Sequence, residues 1–416
     1  GGDLTAISSE ISHNTATGGH GGRPCVGAVG SYSTNGGSAS GGGADVIDKA
    51  ALSQTLVTDN AAAGNTGYSV CRLSYSPGTG AAIGGGISAA SVTVDVSQVL
   101  RNQAQGAALM DYPAYVGLVA GGGVAATGTA AITGSTFGQN TAYSGYSNQG
   151  DQGAASGSAA WSKGAMTTEQ STFVANEITS QAGQVPYGGA LASGTSVSAK
   201  NVTFSANVSN FLSSTVVTIS APTVDLLHVT AVGDSGAPLF AANALAMRAS
   251  VLHPAAGIAG CAAGGTRTSG GDNWAHESSC GLTAPTDIVA APATDPLLGP
   301  RQDNGGSTAT HLPQAGSPLI DAIALARCTL TTDQRLAPRP SGAGCDIGAV
   351  EVQAAAPAAA AAPEAPKPQP SPPPPASAPA PSPTTVPATF APATTTPPTA
   401  PKPTWAPAVP VTSKTS

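Results

Sequence analysis

The sequence predicts an all-β chain wound as a right-handed parallel β-helix, and three observations predict it. An apolar residue followed three places later by asparagine recurs as Ile11-x-x-Asn14, Val57-x-x-Asn60, Val99-x-x-Asn102, Phe137-x-x-Asn140, Phe173-x-x-Asn176 and Phe204-x-x-Asn207. A small-residue opening phrase recurs as GGGA at 41–44, GGGI at 84–87, GGGV at 121–124, GAM at 164–166 and GGAL at 188–191. From the last glycine of each opening to its asparagine run 17, 16, 17, 12 and 18 residues, while the stretch from asparagine to the next opening ranges from 13 to 29. One segment is held in length and the other is free, which is the signature of a solenoid whose insertions map to loops.

The physics of stacking explains the phrases. Coils of a parallel β-helix lie about 4.8 Å apart, so residues at one phase form a column. Asparagines in a column bond amide to amide, as in the ladders of cross-β stacks. A column of Val or Phe fills a narrow core. Glycine serves where the backbone needs positive φ.

Composition agrees. Of 416 residues, 53 are glycine and 35 proline, with 4% aromatic and 9% charged, unlike an ordinary compact domain. The net charge is −7, and residues 1–352 hold 12 basic against 21 acidic side chains. No basic patch points to nucleic acid. No window of about 18 apolar residues points to a transmembrane helix. The chain opens inside a repeat phrase and without Met, so it reads as N-terminally incomplete, with earlier coils and any signal peptide missing.

Taken in order, residues 1–254 read as coils. Around 225–239 the copies degrade, and Asp234 stands at the asparagine phase. Asn201-Val202-Thr203 and Asn207-Val208-Ser209 match the N-glycosylation pattern, but Asn207 is already a column residue. Cys25 and Cys71 each lie 11 residues after a column asparagine, which predicts a bridge between neighbouring coils at the Cα separation a disulfide needs. Cys261 with Cys280, and Cys328 with Cys345, are the remaining expected pairs. No C-x-x-C spacing suggests zinc, and no metal or cofactor is expected.

From 255 to 352 the language changes. This stretch carries Gly270-Gly271-Asp272-Asn273, Ser279-Cys280-Gly281-Leu282, Thr294-Asp295-Pro296-Leu297-Leu298-Gly299, Gly316-Ser317-Pro318-Leu319-Ile320-Asp321, Asp333-Gln334-Arg335, Pro338-Arg339-Pro340 and Gly344-Cys345-Asp346-Ile347-Gly348-Ala349. It resembles the C-terminal module of bacterial right-handed β-helix proteins, pectin-lyase-like in fold, called choice-of-anchor Q proteins. The upstream phrases look like the repeats of polymorphic outer-membrane proteins and related adhesins. The resemblance implies a secreted, surface-displayed β-helix with an interchangeable C-terminal anchor, and it brings no catalytic residues. In physical terms the module is a cap, because a solenoid must cover its last coil. Cys328–Cys345 would close it. Residues 353–416 hold 20 of the 35 prolines and read as a disordered stalk or linker, reaching roughly 200 Å at about 3.1 Å per residue.

Candidate chemistry is sparse. Gly233-Asp234-Ser235-Gly236 looks like the nucleophile loop of trypsin-like proteases, but no matching histidine segment precedes it. A polysaccharide lyase or glycoside hydrolase needs paired carboxylates or a base on one face. Asp45, Asp59, Asp95, Asp111, Asp151, Glu169 and Glu177 fall at no common phase. His276-Glu277 beside Trp274 reads as a solvated cap loop. The aromatics are more informative. Tyr68, Tyr75, Tyr112, Tyr115, Tyr143, Tyr146, Tyr187 and Trp161 fall in the variable segments, whereas Phe137, Phe173 and Phe204 fall in the fixed one. Loops rich in Tyr offer rigid area with a polar tip. The expectation is a secreted or cell-surface monomer, an adhesin or binding scaffold whose Tyr-rich loops recognise a polysaccharide or a surface protein. A β-helix lyase or hydrolase comes second and a structural envelope protein third.

Overall fold

The structure is a computed structural model and describes residues 2–20, 33–34, 37–65, 68–69, 80–107, 117–144, 155–180, 188–211, 218–235, 239–290 and 294–354. Its backbone follows a repeating path. One ladder of parallel rungs runs from Leu4–Ile7 through Lys49–Ser53, Ser91–Asp95, Ala130–Thr133 and Met166–Glu169 into Ser196–Ser205, Thr223–Val232, Ala244–Arg248 and Thr266–Ser269. A second ladder follows a bend later, from Glu10–Ser12 through Leu56–Thr58, Gln98–Leu100, Thr136–Gly138 and Thr172–Val174 to Trp274–Ala275 and Ile288–Val289. A six-stranded sheet after each asparagine and a seven-stranded sheet at the openings complete the coil. Each of these sheets is parallel throughout, so the chain is a parallel β-helix. No α-helix occurs among the described residues, which hold one 3-10 turn at Leu325–Arg327.

Alternation sets the core. In the first ladder Val92, Val94, Ile132, Val197, Val224 and Leu226 are buried, and the residues between them face outward. The Phe column is a stack: Phe137 and Phe173 have ring centroids 5.3 Å apart, Phe173 and Phe204 5.2 Å. Offset stacking of this kind adds to burial in a core too narrow for bulky side chains on every wall.

The asparagine column is continuous from Asn14 to Asn207. Asn60 accepts at Oδ1 from the backbone N and Nδ2 of Asn14. Asn102, Asn140, Asn176 and Asn207 repeat the pattern on the coil before each. Each from Asn60 to Asn207 also donates Nδ2 to an earlier carbonyl, those of Ile11, Val57, Val99, Phe137 and Phe173. The residue before each asparagine is left-handed: His13, Asp59, Arg101, Gln139, Ala175 and Ala206 have φ between 50° and 56°. That turn leaves backbone N–H groups facing along the axis, and the column satisfies them. Asn201 is buried and donates to the Thr332 carbonyl, so both sequon asparagines serve the fold.

Two points of the sequence reading are corrected. The fourth opening is not Gly164 but 157–160, because Ala160 pairs with Val124 and Leu191 while Met166 pairs with Ala130 in the next strand. Gly157 takes φ +58°, as Gly121 and Gly188 take +64° and +69°. Ser158 and Ala159 replace the two glycines, which hid the phrase. Trp161 therefore lies on a strand of the fixed segment rather than in a variable loop.

Beyond Ile288–Val289 the chain returns. Residues 294–354 lie against the outer side of the second ladder. Thr172 Oγ1 donates to the Ala309 carbonyl (2.7 Å), Thr203 Oγ1 to Gln334 Oε1 (2.7 Å), and the Ala349 backbone N to Thr230 Oγ1 (2.9 Å). Trp274, Leu319, Ile323 and Ile347 share one apolar cluster there. Disulfides join Cys261 to Cys280 and Cys328 to Cys345, with Cα atoms 5.0 and 5.9 Å apart. Cys25 and Cys71, and the tail from residue 355, lie outside the described residues.

Candidate functional site

The six-stranded sheet after the asparagine column carries a recess. Its middle residues Ala62, Ala104, Ala142 and Ile178 point inward, and the last three of these pack against Ala82, Val119 and Ala155 as a small second core. Their flanks must then face outward. The register places Gln103, Thr141 and Glu177 in one outward row and Gln105, Tyr143 and Thr179 in the next. Rungs about 4.8 Å apart make these rows a grid of polar groups. With Gly106 and Ala142 they line an open groove of 420 Å³.

The chemistry of this grid is specific. Two carboxamides, two threonine hydroxyls and a phenol offer both donors and acceptors. Thr179 Oγ1 donates to Glu177 Oε1 at 3.1 Å. Among the described residues that line the groove, Glu177 is the charged one. The Glu177 carboxylate disfavours polyanions. Hydroxyl-rich neutral molecules match the donors and acceptors, and the Tyr143 ring offers a face for stacking.

Of the aromatic residues singled out, Tyr143 is in this groove, half-buried. Trp161 is half-buried on the seven-stranded sheet, between Ala125 and Ala192. Tyr143 and Trp161 thus belong to different sheets. Tyr68 pairs with Thr34 in a two-stranded antiparallel ribbon. Tyr75, Tyr112, Tyr115, Tyr146 and Tyr187 lie outside the described residues. The sequence reading missed Gln103, Gln105, Thr141 and Thr179. Their signal was a constant offset of one and three residues after each column asparagine.

The other candidates resolve as structure. Ser235 is a rung residue, its backbone N donating to the Asn207 carbonyl at 3.0 Å. Asp234 closes the asparagine column, with Oδ1 accepting from the backbone N of Asn207 (2.7 Å) and Oδ2 from Thr218 Oγ1 (3.0 Å). Burial raises its carboxyl to about 7, opposed by those hydrogen bonds. Glu277 accepts from the Gly260 backbone N and from Ser279, while His276 bonds His253 across one rung at 2.9 Å. Among the described residues no group of three His, Cys, Asp or Glu gathers as a metal site.

Compared with protein-family models, curated proteins and solved structures, the chain matches none. The class of protein therefore rests on architecture. It is a parallel β-solenoid with two disulfides among the described residues, which belong to an extracytoplasmic, oxidising compartment. No helix among the described residues is long and apolar enough to cross a membrane.

Proposed function

We propose that the chain is a secreted, surface-associated binding scaffold of the choice-of-anchor Q kind, an adhesin that recognises neutral polysaccharide. The carrying observation is the groove on the six-stranded sheet. Amides, hydroxyls, a carboxylate and an aromatic ring are set along the solenoid axis there at strand spacing. A linear polymer can engage such a grid along its length, each contact weak and the sum specific. Among the described residues that line the groove one is a carboxylate, where hydrolysis uses two, and this favours binding. The C-terminal motifs that resemble the anchor module support display at a surface.

The test is retention on a panel of immobilised polysaccharides with simultaneous assay of released product. We expect retention on neutral glycans. Tyr143→Ala should weaken it by roughly tenfold, the loss of about one aromatic contact. Release of cleaved product that an Asp or Glu substitution abolishes would replace this reading with a lyase or hydrolase. Retention of no glycan would return the scaffold to a protein ligand or an envelope role.

A further inference from the structure

We infer that residues 294–354 form an acid-sensitive clasp: protonation of His228 and His311 at its seam with the solenoid releases it and uncovers the row Thr172, Thr203, Thr230 and Trp274. That row is one outward face of the second ladder. Its members at Glu10 and Gln98 are exposed, whereas Thr172, Thr203, Thr230, Val251 and Trp274 are buried beneath the returning chain.

His228 sits at a bend of the solenoid with φ +51° and 1% exposure. Its Nδ1 is in contact with Nη1 of Arg339 from the clasp and lies 3.2 Å from the Gly348 carbonyl. A guanidinium only donates, so Nδ1 must be a bare acceptor. The Gly348 carbonyl is then satisfied by Arg339 Nη2, at 3.0 Å. A proton on Nδ1 would set an imidazolium against a buried guanidinium. Burial is the first cause that holds this histidine's pKa well below its ordinary value, and the charges of Arg339 and Arg248 add to it.

His311 tells the same story from the clasp side. Nδ1 lies 2.8 Å from the Gly299 carbonyl and Nε2 3.0 Å from Ser205 Oγ on the solenoid. With Nδ1 donating, Nε2 must accept from the serine. A second proton turns both nitrogens into donors and leaves the buried serine hydroxyl without its acceptor. Burial again lowers the pKa, opposed by the Gly299 bond, with Arg301 and His253 as the charged neighbours. Burial lowers the pKa of His253 as well, with the neighbouring His276 adding to it and Asp295 opposing it.

The signs must be separated. A histidine with a depressed pKa in the closed seam contributes fully above about pH 6.5, its free value, and the contribution is lost as pH falls below that. Asp346 and Glu351, which face Arg339 with Asp333, run the other way. Burial raises their carboxyls, so the closed seam takes their protons more readily than the released one. The direction of the pH response therefore identifies the controlling groups.

Hydrogen–deuterium exchange on the full chain at pH 7.5 and 5.5, corrected for intrinsic rates, decides it. Each histidine freed at pH 5.5 favours the open form about tenfold. We expect residues 299–312 and 332–352 and rungs 203–205 and 228–232 to lose protection by that factor or more, while rungs 56–100 keep theirs. His228→Asn, which tolerates the left-handed bend and still offers Arg339 an acceptor, should hold the seam closed at pH 5.5. His311→Gln should do so in part, and it serves if the first variant does not fold. Equal or greater protection of the clasp at pH 5.5 would overturn the inference. So would loss shared by all coils, or loss that both substitutions leave unchanged.

Discussion

At the scale of single residues, the asparagine column shows how one amide does several tasks. Each buried Asn accepts from two N–H groups of one coil and donates to a carbonyl of that same coil. Asp234 breaks this rule, since a carboxylate accepts but cannot donate. Its folded pKa of about 7 exceeds the ordinary 3.8, so the folded state binds the proton more tightly. The contribution of this carboxyl to stability is therefore fullest below about pH 4, is lost as pH rises toward 7, and amounts to roughly 4 kcal/mol. Asp234→Asn should remove this fall and add the donation to the Phe204 carbonyl that its counterparts make to theirs. Urea unfolding at pH 5 and pH 8 measures it. A variant no more stable than wild type at pH 8 would contradict the argument. Asn140→Ala makes the opposite case. It strips acceptors from the Asn102 backbone N and Nδ2 and should cost about 3 kcal/mol. The column was legible in the sequence because asparagine is scarce at other phases. A second column was not. Thr55, Ser97, Ser135 and Ser171 stand five residues before successive asparagines, and the last three hydroxyls each accept from the backbone N of the previous member. In a chain so rich in Ser and Thr, that constancy carried no contrast.

At the scale of elements, bends and strands were readable where local chemistry forced them, and contacts across the chain were not. The opening at 157–160 was obscured because Ser158 and Ala159 occupy positions where glycine marks the other coils. The left-handed Gly157 alone kept the signal. The lie of residues 294–354 along the solenoid had no sequence pattern at all. Gln334 shows why. It donates to the Ser171 carbonyl (3.1 Å), Thr172 Oγ1 (2.8 Å) and Thr308 Oγ1 (2.9 Å), and accepts from Thr203 Oγ1. Two of those partners are 162 and 163 residues away, so no periodicity links them. Gln334→Ala should leave these buried groups unsatisfied and destabilise the clasp by about 3 kcal/mol. Exchange or limited proteolysis should show the loss between 294 and 354, with coils near Val57 and Val99 unchanged. By contrast, the exposed Lys200–Glu169 pair (2.7 Å) joins neighbouring rungs in solvent, and Lys200→Ala should change stability by less than about 1 kcal/mol.

At the scale of the whole molecule, the coil is the unit of both stability and recognition. A solenoid's stability is close to a sum of terms within repeats and between neighbours. The groove around Tyr143 needs three successive rungs, whereas the core needs only that each rung meet the next at the same phase. Register makes a strong test possible. Ala104 and Ala142 are paired residues on consecutive coils, so removing 104–141 joins Gln103 to Ala142 without a phase shift. Val99 then stacks on Phe173, and Asn102 meets Asn176. The shortened chain should fold with an unchanged far-ultraviolet spectrum and retain both described disulfides. It should lose part of its stability, because Val99 fills less space than the Phe137 it replaces. It should also lose glycan retention, since Gln105 and Thr141, which flank Tyr143 in the groove, are both gone. The same deletion with Thr93 and Val94 also removed shortens the fixed segment, shifts Val99 and Asn102 against their columns and should leave an aggregating, molten chain. If both deletions behave alike, columns do not govern this fold, and the argument from the spacing of asparagines fails with them.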